Sequence, residues 1–499
     1  MTLSFPPGFL WGTATAAYQI EGAAAAYGRS PSIWDDYLRE HGTHGDTGDV
    51  ACDHYHRWQH DLDLAARLGA GAYRFSASWS RVMPDGRTVN REGLDFYERL
   101  VDGLLDRGLT PALTMYHMDL PAHLDGGWSN RDTALRFADY AQVLTETLGD
   151  RVGMWMTVNE LYYESWVGYA EGAFPPGHRD SAKAVAALHH MLLAHGLGVS
   201  AVREHSPAAE VGLVSGYAPV VPATDHPADV AAASTAHTHS IDVVLGPVLQ
   251  GRYPQEYAEH PARAEALAAT VVDGDLDLIG AEVDFIGLNY YFRRHVVAAD
   301  RVTDPEVVAV ADPPGDFLNL THLKEIGAAE VRPRSRHRTM ADWTPEPEGI
   351  AQMLTDVTAD YGPVPIHITE NGLPLPDYAG TDGAVRDPER ITYLRDHLAG
   401  IHTAIAGGAD VRGYFVWSLL DNLEWTSGFG HRFGLVHVDY ATLTRTPKAS
   451  FDWYAQVVAD NAVPTGHPVP ANALPTTDSI PTTTRPAAES QREMIQGAS

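Results

Sequence analysis

Two segments far apart in the chain each end an apolar, strand-like run on a glutamate. One reads Met154-Trp155-Met156-Thr157-Val158-Asn159-Glu160, the other Pro365-Ile366-His367-Ile368-Thr369-Glu370-Asn371-Gly372. A carboxyl beside an amide at the end of a buried strand, occurring twice, suits cleavage of a glycosidic bond with retention. One carboxyl donates a proton to the leaving oxygen and the other attacks the sugar carbon, from about 5–5.5 Å away. No local spacing rule brings residues 160 and 370 together, so the fold must do it.

The elements that would position them alternate along most of the chain. Eight strand candidates lie near Leu10–Ala16, Ala72–Ser78, Thr110–Tyr116, Met154–Asn159, Val211–Ser215, Phe285–Tyr290, Ile366–Thr369 and Arg412–Ser418. Amphipathic helices are predicted between several of them, as at His54–Leu68, Arg91–Arg107 and Arg131–Leu148. Eight strand–helix units predict one α/β domain, a (β/α)8 TIM barrel with long loops shaping its mouth. A doubly wound open sheet is the alternative, but no Gly-rich phosphate loop follows the first strand. Residues 292–347 hold scattered charges and few periodic apolar positions, and read as a long loop region at the mouth of a pocket. The barrel domain is expected over residues 1–463. A Pro/Thr/Ala-rich tail from 464 to 499 is expected to be disordered.

Composition narrows the partners. The chain has 499 residues, 44% of them hydrophobic, and a formal net charge of −30 from 35 Lys+Arg against 65 Asp+Glu. Such a surface repels nucleic acid and anionic membranes. The single cysteine, Cys52, excludes an intrachain disulfide and reads as a small buried hydrophobe. The N-terminal residues lack a basic, then apolar, leader pattern, and no uninterrupted apolar run approaches transmembrane length. A cytoplasmic enzyme with a small neutral substrate is the expectation. His54 and His56 are two apart and do not share a helix face, so no metal site is expected from them.

Residues able to bind or react recur at one end of the expected barrel, the C-terminal end where such folds place their chemistry. Gln19 follows the first strand and His117 the third. Asn159 and Glu160 end the fourth, Asn289 and Tyr291 the sixth, Glu370 the seventh and Trp417 the eighth. Glu424 and Trp425 follow in Asp421-Asn422-Leu423-Glu424-Trp425. A lone glutamate at a strand end is ordinarily a surface or capping residue. Two in this company are not.

From about Phe9 to about Val458 the chain resembles the family 1 glycoside hydrolases, the β-glucosidase family. The resemblance rests on Phe9-Leu10-Trp11-Gly12-Thr13-Ala14-Thr15-Ala16-Ala17-Tyr18-Gln19-Ile20-Glu21-Gly22-Ala23 and on Ile368-Thr369-Glu370-Asn371-Gly372. It implies a (β/α)8 barrel, retaining hydrolysis of β-glycosides and no cofactor. Glu370 is then the nucleophile, with Tyr291 hydrogen-bonded to it and Arg74 supporting it by charge. Glu160 is the acid/base, its pKa raised by the nearby negative Glu370. Asn159 would bond the sugar 2-hydroxyl. Gln19, His117, Glu424 and Trp425 would bond other hydroxyls, and Trp417 would be the apolar plate. Asn289 and Phe433 complete the expected substrate-binding set. Asp119, Asp421 and Asn422 are expected to brace loops.

Three positions depart from the family pattern. Met118 stands where Trp is usual, Leu161 where Pro is usual and Leu423 where Phe is usual. None removes a catalytic group, and each sits beside one, so altered preference is expected before loss of activity. Glu424 speaks against the phospho-β-glucosidases, where its charge would repel the phosphate. Glu160 speaks against the myrosinases, which carry Gln there. The expectation is a retaining β-glucosidase acting on cellobiose and aryl or alkyl β-glucosides. A β-galactosidase, β-fucosidase or transglycosylase is the nearest alternative, and a sugar-binding protein with weak catalysis the next. The oligomeric state is left open.

Overall fold

The computed structural model describes residues 2–313, 320–334 and 337–464. Eight parallel strands close into a barrel: β1 (Leu10–Ala14), β2 (Ala72–Ser76), β3 (Thr110–Tyr116), β4 (Met154–Asn159), β5 (Glu210–Gly216), β6 (Phe285–Asn289), β7 (Ile366–Asn371) and β8 (Val411–Trp417). They neighbour one another in chain order, and β8 returns to β1. All eight expected strands are present. The ladders stop before residues 15–16 and 77–78, because there the chain turns into loops at the mouth. β4 and β7 are buried throughout. That accounts for near-continuous apolar runs in place of alternation, because a parallel barrel covers both faces of each strand.

Two cores follow from this geometry. Ala14, Ala72, Ala112, Met154, Met156, Val214, Phe285 and Phe415 fill the barrel interior. A larger cluster lies between the strands and the surrounding helices. Among these helices are α1 (His54–Arg67), α2 (Arg91–Leu105), α3 (Arg131–Leu148), α4 (Leu161–Trp166) and α5 (Ser181–His205). The side chain of Asn130 caps α3 and that of Asp180 caps α5, each accepting from backbone amides of the first turn. By length and composition α5 could cross a bilayer, but 83% of its apolar stretch is buried. It packs on α3 as a core helix.

The reading of residues 292–347 as loop is corrected. Strands Arg294–Ala298, Ala311–Asp312 and Ala328–Pro333 join Val220–Pro222 in a four-stranded sheet beside the barrel. Val296 and Ala328 face the main core, while Val297, Ala329 and Val331 bury a satellite core with Val307. Each strand contributes only one to three apolar positions, too few to show a period. The proposed tail from residue 464 lies, beyond Pro464, outside the described residues.

Cys52 is buried, and its thiol contacts the carbonyl of Asp421 at 3.0 Å. His54 and His56 turn to different partners, Asp61 at 2.9 Å and Asp53 at 2.6 Å.

Behind the mouth, the loop after β8 is pinned by buried charge. Lys448 donates to Asp377 at 2.5 Å and to Asp421 at 2.6 Å. Arg432 reaches the other oxygen of Asp421 at 2.8 Å, and Arg390 reaches Asp377 at 2.7 Å. Asp421 also accepts from the Gly434 amide. It braces the loop as expected. Removing one partner from such a network leaves buried charge uncompensated. Lys448→Met is therefore expected to lower stability by about 3 kcal/mol, read as a fall in the urea midpoint with little change in slope.

Candidate active site

Arg74 is the deepest functional group. Its in-register neighbours are Ala14 on β1 and Ala112 on β3, whose small side chains leave room for a guanidinium inside the barrel. It is fully buried. Nη1 donates to Glu370 Oε1 at 2.6 Å and to the Thr369 carbonyl at 3.1 Å. Nη2 donates to Asn159 Oδ1 at 2.8 Å, and Nε to Thr114 Oγ1 at 3.1 Å. The Tyr291 hydroxyl donates to the other oxygen of Glu370 at 2.7 Å. Burial and then the charge of Glu370 push the Tyr291 pKa well up, so it stays a donor.

Glu160 sits in a different environment. It directly follows β4 and stands at the N-cap position of α4 with a left-handed backbone, φ 51°. Its Oε1 accepts from Asn289 Nδ2 at 3.1 Å, and the same amide reaches Asn159 Oδ1 at 3.2 Å. Asn289 Oδ1 in turn accepts from Thr369, the residue before Glu370, at 2.7 Å. Strands β2, β4, β6 and β7 are thus tied together at their ends, and the two glutamates belong to one hydrogen-bonded network. Burial raises the Glu160 pKa to about 8, with the negative Glu370 adding to the rise. Asn289 and Arg74 oppose it.

Most of the remaining expected residues line one pocket, while Gln19 and Asn159 stand behind its wall, bonded to Glu424 and His117. His117, Asn289, Tyr291, Trp417, Glu424, Trp425 and Phe433 line it together with both glutamates. His117 Nε2 accepts from Asn159 Nδ2 at 3.2 Å, which places the proton on Nδ1. Burial holds its pKa well below the ordinary value, so the ring is neutral. Gln19 Nε2 is committed to Leu423 O at 2.9 Å, Asn422 Oδ1 at 3.2 Å and Glu424 Oε2 at 3.3 Å. Among the described residues His117 Nδ1 and Gln19 Oε1 are buried without a hydrogen-bond partner. Buried polar atoms ordinarily find partners, and His117 lines the pocket while Gln19 lies behind Glu424. The Glu424 pKa is raised to about 8 by burial and then by Glu370 and Glu160. Trp425 packs against Trp34, ring centroids 4.5 Å apart. Phe433 supports Tyr291 edge-on at 5.9 Å.

The three departures are accommodated differently. Met118 lines the pocket with a left-handed backbone, φ 66°. Its carbonyl holds the Trp34 indole at 3.0 Å. Leu161 opens α4, where an amide needs no helical partner, so Leu serves in place of Pro. Leu423 is buried in the core and reaches the site through its backbone, its carbonyl accepting from Gln19 Nε2 and its amide donating to the Gln19 carbonyl at 3.2 Å. Asp119 is buried and does not line the pocket. Asn422 braces Gln19. Sequence reasoning passed over Thr114 and Thr369, which share the duty of satisfying Arg74 and Asn289, and the wall residues Tyr163, Phe174, Tyr217, Phe292 and Trp343. Only Phe292 and Trp343 carried a signal, since both fall in the segment expected to shape the mouth.

A (β/α)8 barrel that gathers two linked glutamates, an aromatic plate and unpaired hydroxyl-matching groups at its C-terminal mouth defines a glycoside hydrolase. The chain belongs to glycosyl hydrolase family 1, whose profile matches residues 1–463. It is 43% identical over 477 residues to a bifunctional β-D-glucosidase/β-D-fucosidase of Bifidobacterium breve, covering 93% of this chain and 100% of the relative. The crystal structure of a psychrophilic β-glucosidase from Micrococcus antarcticus matches with a TM-score of 0.85 and 41% identity, covering 92% of this chain and 98% of that one. A β-glucosidase from Thermotoga maritima in complex with glucoimidazole matches with a TM-score of 0.83 and 40% identity, over 92% and 99% of the two chains.

The different surroundings of the two glutamates predict a pH profile. A proton donor whose pKa is raised works below that pKa and fails above it. kcat/KM is expected to fall as pH rises through about 8, the value burial and Glu370 impose on Glu160. Glu370→Gln removes the neighbouring negative charge. Titration of Glu160 by carbon-13 NMR should then show a lower pKa than in the parent enzyme.

Proposed function

We propose that the chain is a retaining β-glucosidase that releases glucose from the non-reducing end of cellobiose and of aryl and alkyl β-glucosides. The observation that carries this reading is the network Glu160–Asn289–Thr369 with Arg74 and Tyr291 on Glu370. It gives one carboxyl a proton and the other a negative charge, the division of labour that the two-step mechanism requires.

In the first step Glu370 attacks the anomeric carbon. The bond to the leaving oxygen breaks as Glu160 donates its proton there. Glycosylation consumes the charge on Glu370, and with it the repulsion that helped keep Glu160 protonated. Glu160 then accepts a proton from water, which attacks the same carbon and frees Glu370. Asn159, oriented by Arg74 and Asn289, faces the 2-hydroxyl, where a hydrogen bond strengthens as charge develops. Gln19 and His117 offer an acceptor and a donor to further hydroxyls, with Glu424 beside them and Trp417 against the ring face. The glucoimidazole complex of the Thermotoga maritima enzyme supports a small sugar-like ligand. The Bifidobacterium breve relative, named for both activities, favours β-fucosidase activity as a second reading.

Glu370→Ala is expected to abolish nitrophenyl β-glucoside cleavage. Added azide should restore it with inversion, giving the α-glucosyl azide by NMR. Glu160→Ala should slow cleavage of poor leaving groups by about 100- to 10,000-fold, and far less for dinitrophenyl glucoside, which needs no proton. Absence of β-glycoside cleavage by the folded parent enzyme would move the weight to a binding role. A parallel panel with β-fucoside and β-galactoside settles the sugar.

A further inference from the structure

One wall of the pocket holds a buried cation that the two-step reaction does not use. Tyr163, on α4 three residues after Glu160, lines the pocket on the acid/base side. A Cβ placed on Gly216 at the end of β5 would lie 2.5 Å from the Tyr163 ring and 2.8 Å from Glu160 Oε1. The bare Gly216 backbone therefore lets the phenol and the catalytic carboxyl sit side by side. Since Glu160 serves the leaving oxygen, Tyr163 stands where the leaving group departs.

Behind Tyr163 lies Arg294, the first residue of its strand in the side sheet and 2% exposed. Its Nη2 donates to the Tyr163 hydroxyl at 3.4 Å. Its guanidinium carbon is 5.9 Å from the ring centroids of both Tyr162 and Tyr163. Its carboxylate neighbour, Glu330, stays 3.6 Å away. Arg294 Nε and Glu330 Oε2 are both buried without a hydrogen-bond partner among the described residues. A buried guanidinium held by long contacts costs stability, which its pairing with the Glu330 carboxylate of the side sheet offsets only in part. Its effect on Tyr163 is specific. Arg294 occupies a lone pair of the hydroxyl and fixes that oxygen as an acceptor from one side. No acceptor for the hydroxyl's own proton is found among the described residues.

We propose that Tyr163, oriented by Arg294, donates a hydrogen bond to a hydroxyl of the leaving group, and so favours β-glucosides whose leaving group is itself a sugar. Phe174, Tyr217 and Phe292 supply apolar surface beside it for the face of that second ring. Tyr163 is a binding residue, and Arg294 a positioning residue acting through it. Burial keeps the phenol protonated, its pKa pushed up to about 12. The inference rests on the β-glucosidase reading.

The test is the ratio of kcat/KM for cellobiose to that for 2,4-dinitrophenyl β-glucoside, whose leaving group has no hydroxyl. Tyr163→Phe should lower this ratio about tenfold, the worth of one hydrogen bond to a sugar. Arg294→Met should lower it to a similar extent, and the double variant no further than either single one. With dinitrophenyl glucoside as donor and added glucose as acceptor, Tyr163→Phe should also yield less disaccharide per turnover. A ratio unmoved by Tyr163→Phe would overturn the proposal while leaving the glucosidase reading intact. Additive effects in the double variant would remove Arg294 from it. Failure of the parent enzyme to cleave either substrate would instead sink the glucosidase reading.

Discussion

A guanidinium with no exposure to water must find its partners inside the fold, and Arg74 finds them on β3, β4 and β7 at once. The arrangement at the mouth depends on that constraint. Ala14 and Ala112 are small so that Arg74 fits. Asn159 and Glu370 converge because both accept from it. A buried charge left unpaired costs several kcal/mol, so the ends of these strands cannot drift apart without a large penalty. Rigidity at the reacting carboxyl is thereby a by-product of satisfying one cation.

The same economy separates the roles of the two glutamates. Both lie at strand ends in the same barrel, yet one is held by a cation and a phenol and the other by a neutral amide. The environment, not the residue type, sets Glu160 apart, burial and then Glu370 raising its pKa to about 8. In the proposed two-step reaction the assignment reverses within a turnover, because the group that helps raise Glu160 is the one consumed in forming the covalent intermediate. Left-handed backbones at Glu160, Met118 and Trp425 show that the surrounding loops accept local strain to aim side chains inward.

Much of this was legible before any coordinates. The eight strands announced themselves as apolar runs, because a barrel buries both faces of each one. Glu160, Glu370, Asn159 and Tyr291 stood at their ends, where composition changes abruptly from apolar to polar. Arg74 was conspicuous as a charge inside such a run. Other features left no trace. Thr369 and Thr114 look like ordinary strand residues, and their roles exist only across strands. The side sheet escaped because its strands divide their few apolar residues between two cores. Tyr163 and Arg294, 131 positions apart, meet only through that sheet.

Asn159, Asn289, Glu370 and Trp417 stand at the ends of the barrel strands, whereas Arg294 and Glu330 come from a sheet that stands outside the barrel. The Tyr163 wall is therefore held from a different part of the chain than the glutamates are. A change at Arg294 reaches the pocket through Tyr163, while the hydrogen bonds around Arg74 are made between barrel strands.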